Sequence, residues 1–332
     1  MSTRKKGQDD KPAAGHRRAG RAVSPSRRQE ESEEIPPVGF NRLEMEQHMA
    51  DFGKLLAEQD FANITEANDF LRDLLTGSEG ELPHQEAETP EEKAQELIFE
   101  AADAPERKAR KLIKDALKLD QNCVDAYIML GEMADTLPDV IAQFRKAVAA
   151  GERTLGTTFF EENQGAFWRL VKTRPYMRAL QNLASALWNY GEGEEAIDLY
   201  QKLLELNPED NQGTRYQLLD ALLLLRRHDE AADLLESFDD GMAHWAYNQA
   251  LLLFRTEGRS DDALEALQTA MDINEYVPDY MLGFEPMPHP DEMPETIIFG
   301  DESEAVSYVF KTFPLWAATP GAQYWLQENL VD

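Results

Sequence analysis

The stretch from Pro175 to Pro208, PYMRALQNLASALWNYGEGEEAIDLYQKLLELNP, constrains the fold more than any other part of this 332-residue chain. Leu180, Leu183, Ala184 and Leu187 fall at i, i+3, i+4 and i+7, so a helix gathers them on one face. Ala196, Leu199, Tyr200 and Leu203 repeat that spacing further on. Gly191 and Gly193 are expected to end the first helix, because a residue without Cβ takes the left-handed turn without strain. Pro208 closes the second, since proline cannot continue a helix. One such hairpin cannot bury its own apolar face, so further hairpins must stack on it.

A small residue at the helix crossing (Ala184), then Ala196, Tyr200 and a closing proline are the marks of a tetratricopeptide unit, which recurs about every 34 residues. The chain carries the recurrence. Ala109, Ala142, Ala196, Ala231 and Ala263 each sit early in a second-helix pattern, with steps of 33, 54, 35 and 32 residues. The long step contains an insertion, roughly 153–173, with Phe159, Phe160, Phe167 and Trp168. Aromatics at helical spacing belong to a core more often than to a ligand site, so the insertion is expected to pack on the array. The expected fold is all-α, a solenoid of helical hairpins over 89–276.

The flanks read differently. Residues 1–38 have almost no large apolar side chains and predict a disordered basic tail. Residues 39–76 predict a short helical segment, with Met45, Met49, Phe52, Leu55 and Leu56 as one stripe and Asn63 or Thr65 capping a second helix. An acidic linker, 77–88, follows. Thr89, Pro90 and Glu92 then stand at N-cap, N1 and N3 of a helix, a capping box. The proline-rich stretch from Val277 to Pro294 predicts an extended strap, and the helices beyond it, to residue 332, predict a cap for the apolar end of the array.

The net charge of −30 is uneven: residues 1–28 carry +7, leaving −37 on the rest. Such a body repels nucleic acid and anionic lipid, so any nucleic-acid contact would run weakly through residues 1–28. A nucleic-acid-associated protein tethered by that tail is the alternative to a protein-binding scaffold. Apolar runs such as Ala221–Leu225 fall far short of the ~20 residues that cross a bilayer. With no signal peptide and a single cysteine, Cys123, a cytoplasmic location is expected, with no membrane association and no disulfide framework. The six histidines have no metal-ligand spacing, and there is neither a phosphate loop nor a nucleophile elbow. The chain therefore reads as a non-enzyme with no cofactor and no metal.

Repeat arrays bind along the groove lined by their first helices. Counting the central unit from Met177, its groove positions are Arg178, Gln181, Ser185, Trp188 and Asn189; in the last unit Trp245, Asn248 and Arg255 correspond. Arginine and tryptophan on a non-core face are typical anchors for a protein or peptide partner. For Trp188 and Trp245, packing between adjacent repeats is the competing reading. Asn182 would suit a grip on a terminal carboxylate, but the lysines that accompany such a grip are missing.

Several further residues carry a family resemblance over roughly 120–327. They are Cys123-x-x-Ala126-Tyr127-Ile128, Ala147, Gly151-Glu152, Ala196, Leu219–Leu225 and Val277-Pro278-x-Tyr280-x-Leu282, then Gly300-Asp301, Ser303-Glu304-Ala305, Tyr308, Trp316 and Gly321-Ala322. With these the chain resembles the suppression-of-tumorigenicity-7 family, as a soluble relative. Eukaryotic members carry membrane-spanning segments, which this sequence lacks. The resemblance implies a helical-repeat scaffold and transfers no catalytic residues.

Overall fold

A computed structural model describes residues 42–57, part of 59–72, and 86–330. The chain divides into two units, 1–41 and 42–332, and the described residues belong to the second. The basic tail and most of the expected linker lie outside them. Among the described residues all regular structure is helical. Helix α1 spans Arg42–Ala57, and five hairpins follow. They are α2 (Pro90–Ala102) with α3 (Glu106–Leu119), α4 (Val124–Glu132) with α5 (Leu137–Leu155), α7 (Arg174–Tyr190) with α8 (Gly193–Leu206), α9 (Thr214–Leu224) with α10 (His228–Ser237), and α11 (Ala243–Glu257) with α12 (Asp261–Ile273). A short α6 (Thr157–Glu162) sits in the insertion, and α13 (Val277–Leu282), α14 (Glu302–Ala317) and α15 (Ala322–Glu328) complete the chain.

Local chemistry sets many of the ends. The Thr89 hydroxyl accepts from Glu92 N at 3.2 Å while the Glu92 carboxylate accepts from Thr89 N, which satisfies two orphan donors of α2 together. Asn63 Oδ1 accepts from the backbone of Thr65 at 2.9 Å and Glu66 at 3.1 Å, so Asn63 makes the cap-type contacts there. Gly191 ends α7 at φ 97°, where its missing Cβ removes the left-handed penalty. Gly193 has another place: it is the first residue of α8, and a Cβ there would meet Trp188 and Leu225 side chains at 3.2 Å.

The core follows the hairpins. Ala94, Ile98, Ala109, Ile113, Ala126 and Met129 form one buried cluster between α2, α3 and α4. A second runs from Ile128 through the remaining hairpins to Leu326, so α4 serves both with its two faces. Ala109, Ala196, Ala231 and Ala263 are essentially fully buried, whereas Ala142 is exposed and Ile141 takes the inward position one residue earlier. The alanine spacing misplaced this helix because α5 meets its partner differently: Phe144 lies flat on Gly131 of α4. A Cβ at Gly131 would stand 2.4 Å from Phe144 Cε1, and that ring is buried. Gly131→Ala is therefore expected to cost about 1–3 kcal/mol by overpacking, read as a lower denaturation midpoint in urea.

In the insertion, Phe167 is fully buried with Phe159, Phe160 and Tyr176 around it at 5.0–6.2 Å between ring centroids. Here the aromatics form core. The proline-rich stretch begins as a helix rather than an extended strap, because Pro278 occupies the first turn of α13, where a missing N–H costs nothing. Val277, Tyr280 and Met281 bury that helix. Beyond the strap, α14 crosses the first helices α9 and α11 and packs beside α13.

Candidate partner-binding groove

The first helices of the hairpins carry a line of polar side chains, and the ends of this line are covered by helices of the same chain. On α7, Arg178 is only 8% exposed. Its NH2 donates to both oxygens of Asp125 on α4, at 2.8 and 3.0 Å, and Gln95 of α2 donates to the same carboxylate at 3.0 Å. Its NH1 donates to both oxygens of Glu46 at 2.6 Å. Burial works against the Arg178 charge, and the carboxylates of Asp125 and Glu46 overcome it, so its pKa lies above the ordinary value. Glu132 nearby moves upward, through burial and the Asp125 charge.

Glu46 belongs to α1, and this changes the reading of that helix. The apolar stripe would bury Met45 and Met49, yet they are 42% and 37% exposed. Glu46 and Asp51 are buried instead, with Phe52, Leu55 and Leu56 half-buried. A buried guanidinium needs carboxylate partners, and this demand outweighs the small gain from turning two methionines inward. Between α1 and the repeat helices lies a cavity of about 590 Å³, walled by Met49, Ala50, Phe99, Val124, Leu155 and Pro175. Lys54 of α1 closes one side through Glu92 at 2.7 Å.

At the other end α14 lies across the first helices. Asn248 is fully buried; its Nδ2 donates to Asp220 at 3.2 Å and its Oδ1 accepts from the Tyr308 hydroxyl at 3.1 Å. His244 reaches Asp220 at 3.0 Å, and Trp316 Nε1 donates to Tyr308 at 2.8 Å. Burial pushes the Tyr308 phenol well above its ordinary range. Trp245, 3% exposed, stands edge-on to Tyr216 and Phe238. It packs between repeats. Arg255 donates to Thr319 Oγ1 at 2.8 Å and to the carbonyls of Leu223 at 2.6 Å and Leu315 at 2.9 Å, so it ties α9 to α14. Asn248, Trp245 and Arg255 therefore serve contacts within the chain; Asn248 and Trp245 are buried, and Arg255 is half-buried. The cause is α14, a helix whose landing place no repeat spacing encodes.

The remaining candidates share α7. Gln181 accepts from Gln212 at 2.8 Å, Ser185 lies 3.4 Å from the Tyr200 hydroxyl, and Asn182 and Trp188 are half-buried while Asn189 is exposed. Three carboxylates escaped the sequence reading. Glu46 and Asp125 looked like any acid of a strongly acidic chain. Glu304, 3% exposed, accepts from Ala243 N at 2.8 Å, Gly300 N at 2.8 Å and Asn274 Nδ2 at 3.0 Å, which pins α14 to the N-terminus of α11. Its one signal was the unusual Gly300-Asp301-x-Ser303-Glu304 run. Among the described residues no group of three or more His, Cys, Asp or Glu could hold a metal ion, and no helix is long and apolar enough to cross a membrane.

Stacked two-helix repeats with a polar line along their first helices define a helical-repeat protein of the tetratricopeptide type. The chain belongs to the ST7 family: the family model described as ST7 protein matches residues 86–329. Helix α1 lies outside that match. Curated relatives include the suppressor of tumorigenicity 7 protein-like proteins of Bos taurus and Homo sapiens. Each is 28% identical over 241 residues, which is 64% of this chain and 42% or 40% of the relative. The suppressor of tumorigenicity 7 protein of Mus musculus is 27% identical over 232 residues, 62% of this chain and 39% of its own. The chain thus spans about two-fifths of the length of the curated relatives it matches. A solved structure, YrrB, described as a TPR protein with an unusual peptide-binding site, is 25% identical with a TM-score of 0.40, covering 57% of this chain and 86% of that one.

Proposed function

We propose that the chain is a non-catalytic protein-interaction scaffold of the cytoplasm, whose groove takes a protein or peptide carboxylate against Arg178, and that α1 holds this position until a partner displaces it. The observation behind the reading is the double pairing of Arg178. Asp125 belongs to the repeats and stays, whereas Glu46 arrives on a helix outside the residues the family model matches. Exchanging Glu46 for a partner's carboxylate leaves the guanidinium paired throughout, so the exchange avoids the penalty of a bare buried charge. The apolar cavity beneath α1 offers room for a side chain beside that carboxylate.

The test is affinity capture from the native host with the full chain in three forms: unchanged, Arg178→Gln and Glu46→Gln. Circular dichroism confirms that each form is folded. The expected result is a defined set of captured proteins that is lost with Arg178→Gln and enriched with Glu46→Gln. Equal capture by all three folded forms would overturn the reading.

A further inference from the structure

A cluster of basic side chains lies away from Arg178, at the turn between α9 and α10. Arg226, His228, Arg255 and Thr319 line a cavity of about 190 Å³ with Phe254 and Pro320, and no carboxylate is among its lining residues. In a chain of net charge −30 this is an unusual composition. The volume is below the range of drug-sized pockets, so it suits a small ion or a single group rather than a nucleotide.

Three features make this a built site rather than a chance gathering. The first is backbone strain. Arg226 has φ 58°, in the left-handed region. The hairpins before and after it place glycine at the same turn position, five residues ahead of their conserved-spacing alanines: Gly191 before Ala196 and Gly258 before Ala263, with φ 97° and 73°. Arginine here takes a positive φ that its neighbours leave to glycine, and strain of this kind collects at functional positions. The second is unfilled donors. A guanidinium has five N–H groups, and Arg255 commits three of them to Thr319, Leu223 and Leu315. His228 Nε2 is buried with no hydrogen-bond partner. The third is repulsion. Burial and then the Arg226 charge lower the pKa of Arg255, while burial, Arg255 and Arg226 lower that of His228 against a smaller upward pull from Asp229. A bound anion would pair the unfilled donors and offset the repulsion together.

We propose that this cavity is a binding site for a small oxyanion, best matched by a phosphate group, held between the Arg226 and Arg255 guanidiniums with His228 Nε2 donating from the third side. Planar guanidinium forks suit phosphate oxygens, and a charge-assisted bond is shorter and stronger than a neutral one. The site is independent of the groove at Arg178, so the two readings stand or fall separately.

Arg226→Gly is the decisive variant, because glycine already serves this turn in the sibling hairpins and the fold should keep it without strain. The measurement is isothermal titration calorimetry of the full chain with sodium phosphate, with sodium acetate and sodium chloride at matched ionic strength as the other arms. The expected result is saturable phosphate binding that weakens about tenfold in Arg226→Gly, the worth of one charge-assisted hydrogen bond. A response to acetate as strong as to phosphate would overturn the preference for phosphate. Equal heats from chloride would reduce the effect to ionic screening, and unchanged phosphate affinity in Arg226→Gly would remove the site.

Discussion

Trp316→Ala is expected to destabilise the array by about 3–5 kcal/mol, seen as a large fall in the guanidinium midpoint by far-ultraviolet circular dichroism. Trp316 is completely buried, and its ring lies 6.5 Å from that of Tyr247 on α11. Truncation removes this apolar contact and leaves a cavity that neighbouring helices, held by their own hairpins, can only partly close. It also removes the Trp316 donor to the buried Tyr308 hydroxyl. Trp316→Phe separates the two terms: it keeps most of the volume, loses the N–H, and is expected to cost the smaller share. A midpoint unchanged by Trp316→Ala would mean that α14 does not hold the first helices of the array.

The second large effect is expected at the Arg178 cluster, where two carboxylates should prove unequal. Asp125→Ala is expected to cost about 3 kcal/mol, the lower end for removing one partner of a buried ion pair, because Glu46 still faces the guanidinium. It also strands Gln95 on α2, which donates to Asp125. Glu46→Ala should cost only about 1 kcal/mol, since Arg178 keeps its bidentate contact with Asp125 and α1 can move aside to admit water. Denaturant midpoints of the two variants, with the double variant to close the cycle, measure the difference. If Glu46→Ala costs as much as Asp125→Ala, α1 is an integral part of the fold, and its proposed role as a displaceable occupant fails.

These expectations bear on how the groove works. The polar line along the first helices is covered at both ends by helices of the same chain. The covers differ in kind. Helix α14 buries Tyr308 and Trp316 completely and is locked by three donors on the Glu304 carboxylate. Helix α1 contributes two buried carboxylates and exposes Met45 and Met49. Burial of large aromatic area anchors the first cover, while the second combines an ion-pair cluster with half-buried Phe52, Leu55 and Leu56.

Sequence alone determined the hairpins of this protein. Leu180, Leu183, Ala184 and Leu187 face inward because helical spacing is a local property, and Thr89 and Gly191 mark ends because caps are satisfied within one turn of backbone. Even the misplacement at Ala142 was a single residue, caused by Phe144 lying on Gly131, a contact between two helices. Only the tertiary structure decided what the groove residues do. Arg178, Asn248 and Arg255 were legible as groove positions, but each is matched by a group far along the chain: Glu46, Tyr308 and Thr319. Periodicity records which face a side chain shares with its near neighbours. It carries no record of which distant helix will lie across that face, because that choice rests on the summed burial and charge pairing of the folded chain.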